Sequence, residues 1–194
     1  MSYAFSGGDS GRIGEGSNPV PTRGVFGYYT NVSMRDITDG SSNTVLVAEL
    51  SFPVSDRDIG HVHILGTAST VPNDCRATFN TSTRRYESGT VRNTRGHNWA
   101  DGGSLIVGVN TILPPNSPSC TTEDHDGRHG IFSAGSKHTG GAHALMGDGS
   151  VRFISENIHT GNLGVDSANP SGPSNYGVWG ALGTKNGGEV VGEF

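Results

Sequence analysis

Three groups of side chains in this sequence have the types and spacing to do chemistry. The first is His138, His143 and Asp148, two imidazoles followed by an acid. Histidine ordinarily changes charge near neutral pH, and a His–Asp pair suits general-base work or metal ligation. If the chain is an enzyme, these three are its candidate catalytic residues. The competing reading makes Asp148 a turn residue and has His138 satisfy nearby backbone groups. The second group is Asp36, Asp39, Asn43 and Glu49, an oxygen-rich set around a turn. Hard cations such as Ca2+ need several oxygens from a short stretch. The spacing is not that of an EF-hand, Asp124 and Asp126 are rival ligands, and cap and turn roles are the competing reading. The third group is the histidines, of which His61-x-His63, His125-x3-His129 and His138-x4-His143 are pairs with ligand spacing. On a strand, residues two apart face the same way and can chelate. None forms an H-E-x-x-H signature, so Zn2+ ranks behind Ca2+.

Other chemistries lack their motifs. There is no G-x-S-x-G elbow for a serine nucleophile. The Gly-rich start has neither a preceding strand nor the lysine of a phosphate-binding loop. Trp99 and Trp179 read as core or loop anchors.

The elements that must position these residues are short. Thr44 to Leu50 is β-branched and almost continuously apolar, which predicts a buried strand. Ser33 is placed to cap a single helical turn before it. Ala142 to Met146 and Val151 to Ile154 flank Gly147-Asp148-Gly149-Ser150, the pattern of a β-hairpin. Val151 and Phe153 then share one face, and Arg152 and Ile154 the other. Gly24 to Tyr29, His61 to Leu65 and Ser104 to Val109 are further expected strands. Residues 1–23, with turn signals that include Asn18-Pro19, read as loop or edge, and residues 66–103 as long surface loops. The segment from Val178 to Leu182 is expected to return to the core.

With 194 residues there is enough chain for one domain with a core, and no repeat or linker divides 1–194. The 31 glycines and 9 prolines disfavour long helices and suit many strands joined by turns. The net charge of −5 and the absence of a Lys/Arg cluster make a poor phosphate-backbone binder, so nucleic acid is not an expected partner. No apolar run approaches the ~20 residues of a membrane span, and the start carries no secretory signal. Cys75 and Cys120 are either two buried thiols or one disulfide; their spacing excludes a CxxC redox motif.

The residues resemble a large pseudopilin-like family of unknown function, abundant in planctomycetes, with an H-x9-D-G motif near the C-terminus. Here that motif runs from His138 to Asp148 and Gly149 and on into Val151-Arg152-Phe153-Ile154. Arg35 to Thr44 followed by Glu49 looks like the family's central signature. Gly96-His97-Asn98-Trp99-Ala100 resembles its Trp-containing loop. Pro114 to Cys120, Trp179 to Thr184 and Gly187 to Val190 match further blocks in the family order.

The resemblance implies an α+β, mostly β fold: an antiparallel pilin-like head with long loops and little helix. Complete members carry an N-terminal membrane-anchoring stem helix, for which this sequence shows no counterpart. Membrane attachment would come only through that helix, and its absence would expose an apolar sheet face that favours homo-oligomers. Export to the periplasm, cell surface or medium implies an oxidising compartment, hence a Cys75–Cys120 disulfide contributing roughly 3–4 kcal/mol. Some pseudopilin heads bind Ca2+, which favours the Asp36, Asp39, Asn43, Glu49 set. The leading functional expectation is a structural or secretion-associated head whose partners are proteins or other pseudopilins. The alternatives are a metal-assisted hydrolase of a small ester or lactone and a surface- or carbohydrate-binding module.

Overall fold

β-Branched and aromatic runs broken by glycine set the element lengths in the computed structural model, which describes residues 1–12, 22–98, 100–125, 129–192 and 194. The first strand, β1, is Tyr3–Ser6, a segment expected to be loop or edge. Two 3-10 turns, Met34–Asp36 and Ser41–Asn43, lead into β2 (Val45–Glu49). Then come β3 (Val62–Ile64), α1 (Pro72–Arg76), β4 (Phe79–Asn80), β5 (Arg85–Tyr86) and β6 (Thr90–Arg92). They are followed by α2 (Ser104–Val107), β7 (Gly108–Val109), β8 (Ser119–Thr121) and β9 (Gly130–Ile131). The chain closes with the hairpin β10 (Gly141–Met146) and β11 (Val151–Ser155), and with α3 (Gly177–Gly183).

The fold is α+β and mostly β, as the sequence implies. Five strands form the main sheet in the order β11-β10-β2-β1-β7, and four form a second, β6-β3-β8-β9. Both sheets are mixed, not antiparallel throughout, because β1 runs parallel to β7 and β3 parallel to β8. A small β4–β5 pair completes the set.

One face of the main sheet is the largest core. Ala4, Val45, Ala48, Ala144, Met146 and Ile154 point inward and pack with Trp179 and Leu182 of α3. Alanines let the helix approach closely, and Gly183 continues that fit: a Cβ there would lie 1.7 Å from Thr111 Oγ1. The indole N–H of Trp179 donates to the Leu113 carbonyl at 2.8 Å, so burying the ring leaves no polar group unpaired. Leu113, Ile112, Ile131 and Tyr176 surround Cys75 and Cys120 in a second cluster. Those cysteines form a disulfide across 45 residues of sequence. A third cluster joins Val62 and Phe132 to Leu105, Ile106 and Val107.

Two expected strands change state. Ser104 to Val107 forms a helical turn whose four residues are all buried. A continuous apolar run carries no periodicity to separate a buried strand from a buried helix, and only β7 at its end is extended. Gly24 to Tyr29 forms no strand. Val178 to Leu182 returns to the core as expected, within α3. Residues 66–103 hold α1 and three short strands as well as loops. The Asn18-Pro19 turn, Trp99 and Asp126 lie outside the described residues. Among the described residues no helix is long and apolar enough to cross a membrane.

Candidate functional site

The outer face of the main sheet is where the sequence's chemistry gathers. Strand register places Tyr3 opposite Glu49 and Phe5 opposite Val47. It places Leu145 opposite both Val47 and Val151, and His143 opposite Phe153. Alternation then yields two rows across four strands, Phe5-Val47-Leu145-Val151 and Tyr3-Glu49-His143-Phe153. The inward neighbours Ala4, Ala48, Ala144 and Ile154 are buried, so these rows face outward. Tyr3 (55%), Phe5 (44%), Val151 (64%) and Phe153 (46%) are exposed. Phe26 extends the apolar face by packing on Phe5, ring centroids 4.9 Å apart. Beside it opens an apolar groove of about 570 Å³ lined by Phe5, Val25, Phe26 and Val107.

Glu49, His143 and His138 converge in the second row. Glu49 ends β2 and His143 lies across from it on β10. The carboxylate accepts the His143 backbone N–H at 2.7 Å, and its Oε2 lies 3.3 Å from His143 Nδ1. His138 Nε2 is 3.4 Å from Glu49 Oε1. The two imidazoles meet edge to face with centroids 4.9 Å apart, and His143 meets the Phe153 ring in the same way at 5.2 Å. Glu49 is mostly buried, whereas His138 is exposed over half its side chain.

The loop that carries His138 is held from several sides. The Gly135 N–H donates to the Glu49 carbonyl at 2.8 Å, which ties the loop to the end of β2. The Ser136 N–H donates to Asn116 Oδ1 (2.9 Å), and the Ser136 hydroxyl donates to the Gly141 carbonyl (2.7 Å) while accepting the His138 N–H (3.0 Å). Gly140 turns the chain at φ +84°, a conformation natural to glycine. Gly141 sits where a Cβ would be 2.0 Å from the Ile154 carbonyl. The His-Thr-Gly-Gly-Ala-His sequence is thus a turn and a close backbone contact between two imidazoles. His138 also lines a mixed groove of about 460 Å³ that includes Asp58, Arg84 and Glu156 as well as Phe52 and Ile59.

The other expected site residues have different places. Asp148 is in the hairpin turn at the far end of β10, about 17 Å of strand from Gly141. Its carboxyl is held below the usual range by the Ser150 hydroxyl and N–H. It is the turn residue of the competing reading, and His138 finds Glu49 instead. Nor does the oxygen set assemble, because cap and clamp roles take its members separately. Asp36 accepts the Ser33 N–H at 2.7 Å. Asp39 accepts the Gly187 and Gly188 N–H groups (2.6 and 3.0 Å) and the Thr184 hydroxyl, fastening the segment after α3. Asn43 closes a 3-10 turn. Asp124 pairs with Arg92 at 2.7 Å. His61 is 3.1 Å from Asp58, and His63 Nε2 is 3.1 Å from the Ser88 carbonyl, so each is a core histidine with its own partner. His125 and His129 flank residues outside the described set. Sequence reasoning placed Glu49 with the aspartates; only the β2–β10 register would have moved it to the histidines.

A β-rich α+β domain, bound by one disulfide and bearing a Glu–His–His cluster on an open sheet face, is the class these features define. The chain belongs to the family described as "Protein of unknown function (DUF1559)", which it matches over residues 2–161. No curated protein and no solved structure matches it.

Proposed function

We propose that this domain is an exported, pseudopilin-like head that docks a helix on the outer face of its main sheet and so joins an envelope-associated assembly. The carrying observation is the apolar row Phe5-Val47-Leu145-Val151, which crosses four strands with its ends exposed. Three inter-strand steps of about 4.8 Å span about 14 Å. That equals the rise of about nine helical residues, so an apolar helix stripe fits the row. Solvated sheet faces ordinarily alternate to polar residues, and an aromatic and aliphatic face of this extent marks a contact surface. The H-x9-D-G block and the Arg35 to Thr44 block support a pilin-type helix as the occupant. The Cys75–Cys120 disulfide supports export, since such bonds persist in oxidising compartments.

The test is fractionation of the tagged chain in its native host. The expected result is recovery with the envelope or sheared-filament fraction, and release into the soluble exported fraction for Phe5→Asp/Val151→Asp. Both changes sit on exposed positions, so the fold should survive; circular dichroism checks this. Recovery of either form in the cytoplasm, or unchanged fractionation of the folded double variant, would refute the reading.

A further inference from the structure

We propose that Glu49, His138 and His143 bind a divalent first-row transition metal, Zn2+ in the first instance, through three protein ligands with a fourth position open to solvent. One ligand atom from each residue lies within 4.8 Å of the other two. Around a tetrahedral Zn2+ with bonds of about 2.1 Å, neighbouring ligand atoms are separated by about 3.4 Å. Glu49 Oε1 to His138 Nε2 is 3.4 Å and Glu49 Oε2 to His143 Nδ1 is 3.3 Å. Both distances are longer than the usual N–H···O value of about 2.9–3.0 Å. They run to different oxygens of one carboxylate, and with a single ligand atom per residue all three lie within 4.8 Å of one another, so a small shift of the rings brings them to tetrahedral spacing around one ion. The His143 contact alone is a long carboxylate–imidazole hydrogen bond. It gives no reason for a second imidazole packed against the first.

The donor set selects the metal class. Two imidazoles and a carboxylate suit Zn2+, Cu2+ or Ni2+, whereas Ca2+ takes 6–8 oxygens and rejects such a site. The ligands are also pre-arranged. Glu49 is fixed by the His143 N–H, His143 by the Phe153 ring edge, and the His138 loop by the Glu49 carbonyl and Asn116. Glu49 and His143 therefore lose little side-chain freedom on binding, and the half-exposed His138 ring loses more. His138 is the exposed ligand, so the unfilled position faces solvent and accepts water. This places a metal within the row that borders the proposed docking face, but the inference does not depend on that reading.

Isothermal titration of the full chain, first stripped with chelator, tests the site. Zn2+ should bind at one per chain, and Ca2+ should give no binding heat. Co2+ in its place should show the intense visible absorption of a four-coordinate ion. Glu49→Gln, His138→Ala and His143→Ala should each weaken Zn2+ binding by about a hundredfold or more, beyond the 10–100-fold typical of second-shell partners. The exposed His97→Ala should leave it unchanged. His138 is half exposed and in a loop, so its variant reports on ligation without loss of the fold, which a thermal melt verifies. No binding, or binding that survives His138→Ala and Glu49→Gln in folded protein, would overturn the assignment. So would binding abolished by His97→Ala.

Discussion

Opening the Cys75–Cys120 disulfide removes a cross-link that spans 45 residues of chain. On the chain-entropy relation, a closed loop of that size restricts the unfolded state by about 4 kcal/mol. A domain of this size has a total stability of only about 5–15 kcal/mol, so the bond holds a large share. Taking about 2.1 cal/mol/K per residue over 194 residues, the unfolding entropy is about 0.4 kcal/mol/K. The reduced protein should therefore melt about 10 °C lower. Both sulfurs are buried among Ile112, Leu113, Ile131 and Tyr176. Reduction leaves this packing almost unchanged in volume, whereas a Cys75→Ala/Cys120→Ala pair adds the loss of buried atoms. The assay is equilibrium urea unfolding with and without reductant, followed by tryptophan fluorescence and circular dichroism. The reduced form should shift to a lower midpoint, and the double variant should be at least as destabilised. A reduced form that stays within about 1 kcal/mol of the oxidised one would show that the 45-residue link restricts the unfolded chain far less than its length demands.

Two further outcomes follow from buried charge. Asp9 is fully buried and receives Arg23 through two bonds, at 2.6 and 3.1 Å. Asp9→Ala leaves the guanidinium without its partner and should destabilise by roughly 3–5 kcal/mol in urea melts; a loss below 1 kcal/mol would show the pair to be dispensable. His63 is buried beside Tyr86, and burial pushes its pKa below the ordinary 6.5. The unfolded chain then binds the proton more readily, so stability should fall as pH drops below about 6.5 toward the folded-state value. Asp58 adds a second, more acidic decline: burial raises its pKa, but N–H groups of Ser55, Val54 and Gly60 and the His61 ring outweigh that and lower it. His63→Gln should remove the upper decline from urea midpoints measured between pH 7.5 and 5; identical pH profiles for the two proteins would sink the assignment.

Local signals in the sequence were enough for several elements. The Asp–Gly turn between alternating apolar runs specifies β10 and β11 and the faces of Val151 and Ile154, because turn geometry and a two-residue period act within a dozen residues. The β-branched run before Glu49 specifies β2, and Ser33 with Asp36 specifies a capped turn. Glycine and proline content already excludes long helices. The conformation of Ser104 to Val107 and of the segment from Gly177 to Gly183 was decided by tertiary packing, since runs as buried as Ser104 to Val107 and Trp179 to Gly183 lose the periodicity that separates helix from strand. So was Tyr3–Ser6, whose only mark is two aromatics facing out between small residues facing in. The site itself is non-local. Glu49 lies 94 residues from His143, and only the β2–β10 register, with a loop tied back to the Glu49 carbonyl, brings the carboxylate to both imidazoles. Residue types alone suggested an acid for His138 and chose Asp148, nearer in sequence; strand rise carries Asp148 to the opposite end of the sheet, and pairing supplies Glu49 instead.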